Sequence, residues 1–260
     1  AHYWGRRCQA RGLAVRLLPP QYVRPYVRRN KTDRTDTEAL LEAARCSGLQ
    51  PVPVKTVEQQ TIQGLHGVRR QWQTARTARI NLVRALLREQ GFPIPLGAKN
   101  VLTGVARIRE DAELELPGLF RSTVALVVEE IRDLEARLAT IDAQLAQVAR
   151  THPIAVRLQQ IPGVGVLTAT ALVAAVPHIH AFRRGRAFAS WLGLTPREYS
   201  SGGRRHLGRI SKRGDAYLGC LLTHGARAVL RVAQRRVQAT PDRATPLQRW
   251  AVTIVARCGY

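Results

Sequence analysis

The chain has 260 residues, with 41 Lys and Arg against 18 Asp and Glu, so its formal net charge at pH 7 is +23. Hydrophobic residues make up 45% of it, a composition that suits a folded core and excludes a disordered basic tail. The sequence contains no run of about 18 apolar residues, so it predicts no membrane-spanning helix. Cations spread along the whole chain favour a nucleic acid as the partner, ahead of an acidic membrane surface.

The cysteines and the chain ends predict a reduced protein that is part of a longer one. Cys8, Cys46, Cys220 and Cys258 lie far apart without a CxxC pair, so we expect reduced, buried thiols and neither a zinc site nor a disulfide framework. The chain has no methionine and begins and ends without helix-capping signals. We therefore expect a fragment truncated at both ends.

The N-terminal part predicts short helices and one strand. Residues 1–12 have the pattern of a helix end that stops at Gly12, and a short basic helix is predicted over 21–29. Between them, the apolar run 13–18 is closed by Pro19 and Pro20, a pattern typical of a buried strand.

Two carboxylates open the next predicted helix. Asp33 can cap its N-terminus, and Asp36 follows three residues later on the same helical face. Two acids held together repel each other, and a bound divalent cation such as Mg²⁺ is one reason for such a pair. The alternative is that acids in a first turn complement the helix dipole, with Lys31 and Arg34 beside them. The spacing leaves both interpretations open.

Two long helices are predicted in the middle of the chain, separated by loops and short helices over 91–120. The first runs from Val57 to about Gln90 and is rich in arginine. The second is acidic and has an apolar seam whose residues are spaced alternately three and four positions apart. These residues are Val124, Val127, Ile131, Leu134, Leu138, Ile141, Leu145 and Val148. The two helices could pair as an antiparallel hairpin, or the acidic helix could form a coiled coil with another subunit.

A Pro-Gly turn between two further helices resembles a helix-hairpin-helix motif. It reads Ile161-Pro-Gly-Val-Gly165, and such a turn points backbone N–H groups at a DNA phosphate. We therefore nominate Gly163 and Gly165 as DNA contacts, although Pro-Gly turns also join ordinary helices.

The densest positive charge lies between Phe182 and Leu222, around a basic hairpin predicted at Ser200-Ser-Gly-Gly203. Nine Lys and Arg fall within 183–213, against the single acid Glu198. Cations this dense repel each other unless a polyanion lies among them, and the glycines leave N–H groups open to a phosphate. The nominated nucleic-acid ligands are Arg197, Gly202, Gly203, Arg204, Arg205, Arg209, Lys212 and Arg213. The alternative is a solvated, flexible loop with ordinary loop serines.

Seven segments, in this order, resemble the DEDD-type transposases of bacterial insertion sequences, the Piv/MooV-like class that includes RNA-guided bridge recombinases. They are His2-Tyr-Trp4, Leu17-Leu-Pro-Pro20, Lys31-Thr-Asp-Arg-Thr-Asp36, Ile161-Pro-Gly-Val-Gly165, Phe188-Ala-Ser-Trp-Leu-Gly-Leu-Thr-Pro196, Ser201-Gly-Gly203 and Gly208-Arg-Ile-Ser-Lys-Arg-Gly214. Each is weak alone, but their order and spacing are specific and span almost the whole chain.

The resemblance implies an α/β plus mostly α fold in three parts. These are an incomplete RuvC-like, RNase H-like catalytic domain over 1–55, a helical coiled-coil region over 56–150, and a helical C-terminal transposase domain with the helix-hairpin-helix-like motif and a serine loop over 151–260. It implies that Asp33 and Asp36 are the last two of four carboxylates, Asp-Glu-Asp-Asp, that hold Mg²⁺. The other two, and the first strands of the sheet, would fall upstream of Ala1.

The resemblance also implies a reaction, in which Ser201, with Ser200 in reserve, attacks a DNA phosphodiester and forms a phosphoserine link. Implied partners are DNA, a structured guide RNA and further copies in a dimer or tetramer, in the cytoplasm at the nucleoid and without a membrane. With two carboxylates missing, we expect this chain alone to be inactive. Two other interpretations remain: a non-catalytic nucleic-acid binder, and a Holliday-junction-type nuclease that would not need the Ser-Gly-Gly loop.

Overall fold

A computed structural model describes residues 1–27, 32–110, 116–176 and 178–259, without the side chains of residues 109 and 110. The chain is mostly helical, as expected. Its α-helices are α1 (His2–Gln9), α2 (Pro20–Val23), α3 (Asp33–Arg45), α4 (Val57–Glu89), α5 (Ala98–Glu110), α6 (Gly118–Thr151), α7 (Pro153–Leu158), α8 (Val166–Ala175), α9 (Gly185–Trp191), α10 (Ala216–Ala239) and α11 (Pro246–Cys258). Strands β1 (Pro196–Glu198) and β2 (Leu207–Ile210) form an antiparallel pair. Within the described ranges, none of the helices is long and apolar enough to cross a membrane.

The chain folds as two compact units. One comprises residues 1–61 and 171–260, and the other comprises residues 62–170. The division into parts 1–55, 56–150 and 151–260 remains a prediction.

The predicted buried strand over residues 13–18 is wrong. Leu17 forms one isolated antiparallel bridge with Val52, and Leu13 is exposed. Pro19 and Pro20 follow at once, and proline has no N–H group with which to extend a ladder. Pro20 instead begins α2, which continues into a single 3₁₀ turn, Arg24–Tyr26. The rest of the short helix predicted over 21–29 lies partly outside the described residues.

The expectation of buried cysteines is also wrong, although all four are free thiols. Cys8 and Cys46 are half-buried, while Cys220 and Cys258 are exposed. Cys8 lies in the last turn of the short helix α1, and Cys46 directly follows α3. In neither position does a helix face cover the thiol completely.

The unit of residues 62–170 contains α4 and α6 as an antiparallel pair. Ion pairs join residues whose numbers rise along α4 and fall along α6, namely Arg69–Asp142, Arg76–Glu135 and Arg79–Glu130. The predicted hairpin between an arginine-rich and an acidic helix is therefore present within one chain. A coiled coil with a second copy remains a prediction.

A third helix shares the core of this unit. The buried cluster comprises Ile80, Val83, Leu87, Val101, Val105, Val124, Val128 and Ile131, from α4, α5 and α6. On α6, Val128 and Ala149 are buried where the predicted seam named Val127 and Val148. Val128 belongs to the cluster that α5 also joins, so the heptad repeat alone does not set the buried face at that end of α6.

A polar contact, His66 with Thr170, is also buried in this unit. The His66 Nε2 atom lies 3.0 Å from the Thr170 hydroxyl. Burial, helped by the charge of Arg69 and opposed by that of Asp142, lowers the pKa of His66 to about 4. The imidazole is therefore neutral in the folded protein near neutral pH.

Replacing the fully buried Ile131 with alanine is expected to lower the free energy of unfolding by about 2–5 kcal/mol, because it opens a cavity where three helices meet. Leu126 is the matched control on the same helix. It is 67% exposed, so Leu126→Ala should change stability by no more than about 0.5 kcal/mol. Urea unfolding of both variants checks this, and equal losses would contradict the assigned buried face.

The free energy of unfolding is expected to fall as the pH is lowered from about 6.5 towards 4. The unfolded state binds a proton at His66 near the ordinary pKa of 6.5, whereas the folded state does so only near 4, so acid favours unfolding. Denaturant titrations at a series of pH values measure the slope. His66→Gln should flatten the slope in this window, and an unchanged slope would show that other groups cause it.

Candidate nucleic-acid interface

The predicted Ser-Gly-Gly hairpin is present and has a tight turn. The Arg204 N–H donates to the Ser201 carbonyl oxygen at 3.1 Å. Gly202 and Gly203 have φ angles of +56° and +76°. Positive φ at both central residues marks a type I′ turn, whose twist matches that of the flanking strands. Glycine adopts these angles without strain, so the turn favours glycine at both positions, and Ser201 is its first residue.

The hairpin is exposed along its whole length. Every residue from Pro196 to Ile210 is exposed, so neither face of the two strands packs on a core. A two-stranded hairpin of this kind is only marginally stable in water on its own. Its support must therefore come from its base and from polar contacts along it.

The base of the hairpin is held by a close approach of two backbone segments. The Ser211 N–H donates to the Thr195 carbonyl at 2.8 Å, and the Lys212 N–H donates to the Gly193 carbonyl at 3.0 Å. A Cβ atom on Gly193 would lie 2.6 Å from the backbone nitrogen of Gly214. Only glycine at position 193 lets the segment before β1 contact the segment after β2.

The two adjacent serines have different surroundings. The Ser200 hydroxyl donates to Glu198 Oε1 at 2.7 Å and accepts from the His206 N–H at 3.2 Å. Glu198 also lies 3.5 Å from Arg205 Nε. Ser201 is exposed, and its hydroxyl forms no hydrogen bond with a described residue. The Ser200 hydroxyl is thus committed to holding the strands together, whereas that of Ser201 is available.

The contact between Ser200 and Glu198 was not predicted from the sequence. Side chains two residues apart on a strand point to the same face, so the Glu198–Ser200 spacing was a usable signal. The bond to the His206 N–H depends on the strand register, which the sequence does not reveal.

The structure places the nominated cations along this one hairpin and at its base. Arg197 donates to the Ser211 carbonyl at 3.2 Å, and Arg205 lies beside Glu198. Arg204 and Arg209 are exposed and form no ion pair with a described residue. Most of the positive charge around Ser201 is therefore not neutralised by the protein, which is the condition expected of a surface that binds a polyanion.

Asp33 and Asp36 lie in the first turn of α3, but Asp33 does not cap it. The cap is Thr32, whose hydroxyl accepts from the Thr35 N–H at 3.2 Å in a reciprocal capping box. Thr32 can do this because it has an extended backbone, whereas Asp33 is already helical. Asp33 is exposed and Asp36 half-buried, and neither forms an ion pair with a described residue.

Carboxylate oxygens are the ligand type that Mg²⁺ takes, typically one or two from the protein with water and substrate phosphates completing its shell, and a magnesium site at Asp33 and Asp36 stays a prediction. Among the residues that the structure describes, no group of three or more His, Cys, Asp or Glu could hold a metal. Asp33 and Asp36 therefore have no third ligand of these residue types among the described residues.

Helices α7 and α8 are joined by the predicted Pro-Gly turn. The Val164 N–H donates to the Ile161 carbonyl at 3.0 Å, and Gly163 has a φ of +87°. With Pro162 at its second position, this is a type II turn. Gly165 lies directly before α8 and is exposed. A DNA contact through Gly163 and Gly165 stays a prediction.

Similar proteins match this chain over most of its length, including the region of the Pro-Gly turn and the hairpin. Residues 155–240, which contain the Pro-Gly turn and the hairpin, match the model of the transposase IS116/IS110/IS902 family. The chain is 41% identical over 240 residues to a probable family 20 transposase of Pseudomonas aeruginosa, covering 92% of this chain and 71% of the relative. It is 38% identical over 231 residues to the transposase for insertion sequence element IS1111A of Coxiella burnetii, covering 89% and 64%. It is 35% identical over 238 residues to the transposase for insertion sequence element IS1328 of Yersinia enterocolitica, covering 88% and 68%.

The chain thus spans 64% to 71% of the length of these three relatives. At this identity and coverage, the chain belongs to the IS116/IS110/IS902 family of transposases.

Proposed function

We propose that this chain carries the DNA-binding and nucleophilic part of an insertion-sequence transposase, with Ser201 as the nucleophile. The observation that carries the proposal is an unbonded serine hydroxyl at the tip of an exposed hairpin, beside Arg204 and close to further unneutralised cations. The names of the relatives support the same class of activity.

The proposed step is a transesterification. Ser201 Oγ attacks a DNA phosphorus, so an Oγ–P bond forms while the bond from phosphorus to a deoxyribose oxygen breaks. The serine proton passes to a base or to solvent, and the leaving oxygen takes up a proton. One phosphoester replaces another, so a hydroxyl of a second strand can later reverse the step and complete the exchange. Arg204 and Arg205 would stabilise the added negative charge of the transition state.

Asp33 and Asp36 are proposed to hold Mg²⁺ with the help of further ligands. When bound, the ion supplies positive charge that stabilises developing negative charge on phosphate oxygens. The role of the two carboxylates is to fix that charge on the rigid first turn of α3.

The proposed partners follow from the same chemistry. DNA is the substrate, which would place the protein at the nucleoid. Gly163 and Gly165 would bind a second phosphate through their backbone N–H groups. A structured guide RNA and assembly as a dimer or tetramer are proposed from the family resemblance.

Ser201→Ala is expected to abolish the covalent protein–DNA adduct, because it removes the attacking oxygen. Ser200→Ala should lower the amount of adduct but not eliminate it, because it removes only the contact with Glu198 and His206. The assay uses the protein encoded by the complete gene, DNA carrying the ends of the element, the associated RNA and Mg²⁺. Denaturing gels score the adduct, and a parallel reaction contains a chelator.

Two outcomes would contradict this assignment. An adduct that survives Ser201→Ala and disappears with Ser200→Ala would make Ser200 the nucleophile. DNA binding by the complete protein without any adduct would favour the alternative function, a non-catalytic nucleic-acid binder.

DNA binding by the chain is expected to weaken steeply with salt, because each phosphate contact contributes about −0.9 to the slope of log K against log salt. Arg209→Gln should make the slope shallower by about 0.9 if Arg209 binds one phosphate. Arg132→Gln, an exposed arginine on α6, is the matched control. Fluorescence anisotropy at several salt concentrations measures both, and a slope that does not respond to Arg209→Gln would remove Arg209 from the interface.

A further inference from the structure

A cleft that the proposed reaction does not use lies between the base of the hairpin and α10. Its volume is about 320 Å³. Leu192, Leu194 and Ile210 contribute apolar surface, and two cations, Lys212 and Arg227, also line it, together with His224. The size is at the lower end of the range for small-ligand pockets, about 300–1,000 Å³. Apolar walls beside cations suit a ligand that joins a flat apolar body to a phosphate.

The backbone at the edge of this cleft is strained in one place. Lys212 has a φ of +52°, the only positive φ of a non-glycine residue in the described part of the chain. Its N–H bond to the Gly193 carbonyl holds it in this conformation. Strain of this kind is characteristic of ligand clamps, where the surrounding structure fixes a side chain in advance.

The acid in the cleft does not cancel these cations. Asp215 also lines it, but its Oδ1 atom accepts the N–H groups of Tyr217 and Leu218 at the start of α10, at 2.8 Å and 3.1 Å. Lys55 is buried close enough that the charge of Asp215 partly offsets the lowering of the Lys55 pKa by burial. No ion pair joins Asp215 to Lys212 or Arg227 among the described residues, so both cations can bind an anion.

We propose that this cleft receives one extrahelical nucleotide of DNA, its base against Leu192, Leu194 and Ile210 and its phosphate against Lys212 and Arg227. The proposal rests on the proposed function, because it requires DNA on the hairpin. The cleft adjoins the base of that hairpin, so a strand bound along the hairpin passes its opening. A base can enter only by leaving the duplex stack, and extruded bases are commonly held between apolar side chains.

A duplex with 2-aminopurine at a mismatched position tests the cleft and the hairpin separately. Anisotropy of a terminal dye reports binding, and 2-aminopurine emission, which stacking quenches, reports extrusion of the base. Emission is expected to rise when the wild-type chain binds. Binding without a rise overturns the nucleotide site and leaves the DNA-binding hairpin intact, whereas no binding overturns both.

Filling the cleft supplies the specific control. A Cβ atom on Gly219, which lines the cleft on α10, meets no atom within 4 Å, so Gly219→Leu can place its side chain there without displacing the backbone. Gly64 on α4 has the same free space and does not line the cleft. Gly219→Leu should remove the rise in emission and keep binding, while Gly64→Leu should keep both. An unchanged rise with Gly219→Leu overturns the site.

The phosphate part of the site is tested through salt dependence. Arg227→Gln should make the binding slope shallower by about 0.9, the effect of losing one phosphate contact. Arg235 is an exposed arginine on the same helix but outside the cleft, so Arg235→Gln is the matched control and should leave the slope unchanged. Equal slopes for both variants, or a rise in emission from a labelled RNA duplex but not from DNA, would overturn the assignment to a DNA nucleotide.

Discussion

The contact between Gly193 and Gly214 is the constraint on which the candidate site depends. The hairpin buries neither face, so packing cannot hold it, and its two ends must be fixed by the backbone itself. A side chain at either glycine would push the two segments apart, because a Cβ on Gly214 would lie 2.3 Å from the backbone of Leu192. The same contact places Lys212 and forms one edge of the cleft beside α10, so one close approach sets the geometry of both features.

Arginine has different roles in the two units of the chain. In residues 62–170, arginines of α4 pair with acids of α6, and their charges are neutralised within the fold. On the hairpin, Glu198 is the one acid, and it contacts only Arg205 among the arginines there. The remaining cations repel one another, and that repulsion is relieved when a polyanion binds. The location of the cations that have no acidic partner therefore indicates more about function than the net charge of +23 does.

The sequence predicted well where a local pattern decides the structure. The two long helices have enough periodic positions to be recognised, and Gly202-Gly203 fits the one hairpin turn that needs two positive φ angles. Prediction failed where distant residues decide. The run 13–18 has strand composition but finds only Val52 as a partner, and the buried face of α6 moves to Val128 where α5 joins the core. The cleft beside α10 forms where the base of the hairpin meets that helix, and local sequence patterns do not predict such a contact.

Ser200 and Ser201 are a second case in which the sequence alone does not decide the structure. Both precede the glycine pair, and composition does not separate them. Alternation along a strand sends their side chains to opposite faces, and Glu198 lies on the face of Ser200. A register shift of one residue would exchange the two faces. The type I′ turn fixes the register at the tip, and the backbone contacts of Ser211 and Lys212 fix it at the base. The pairing shifts once, between Pro196 and Glu198, on the base side of both serines. Glu198 pairs with Leu207 and Ser201 with Arg204 in one continuous register, so the turn at the tip decides which serine is presented.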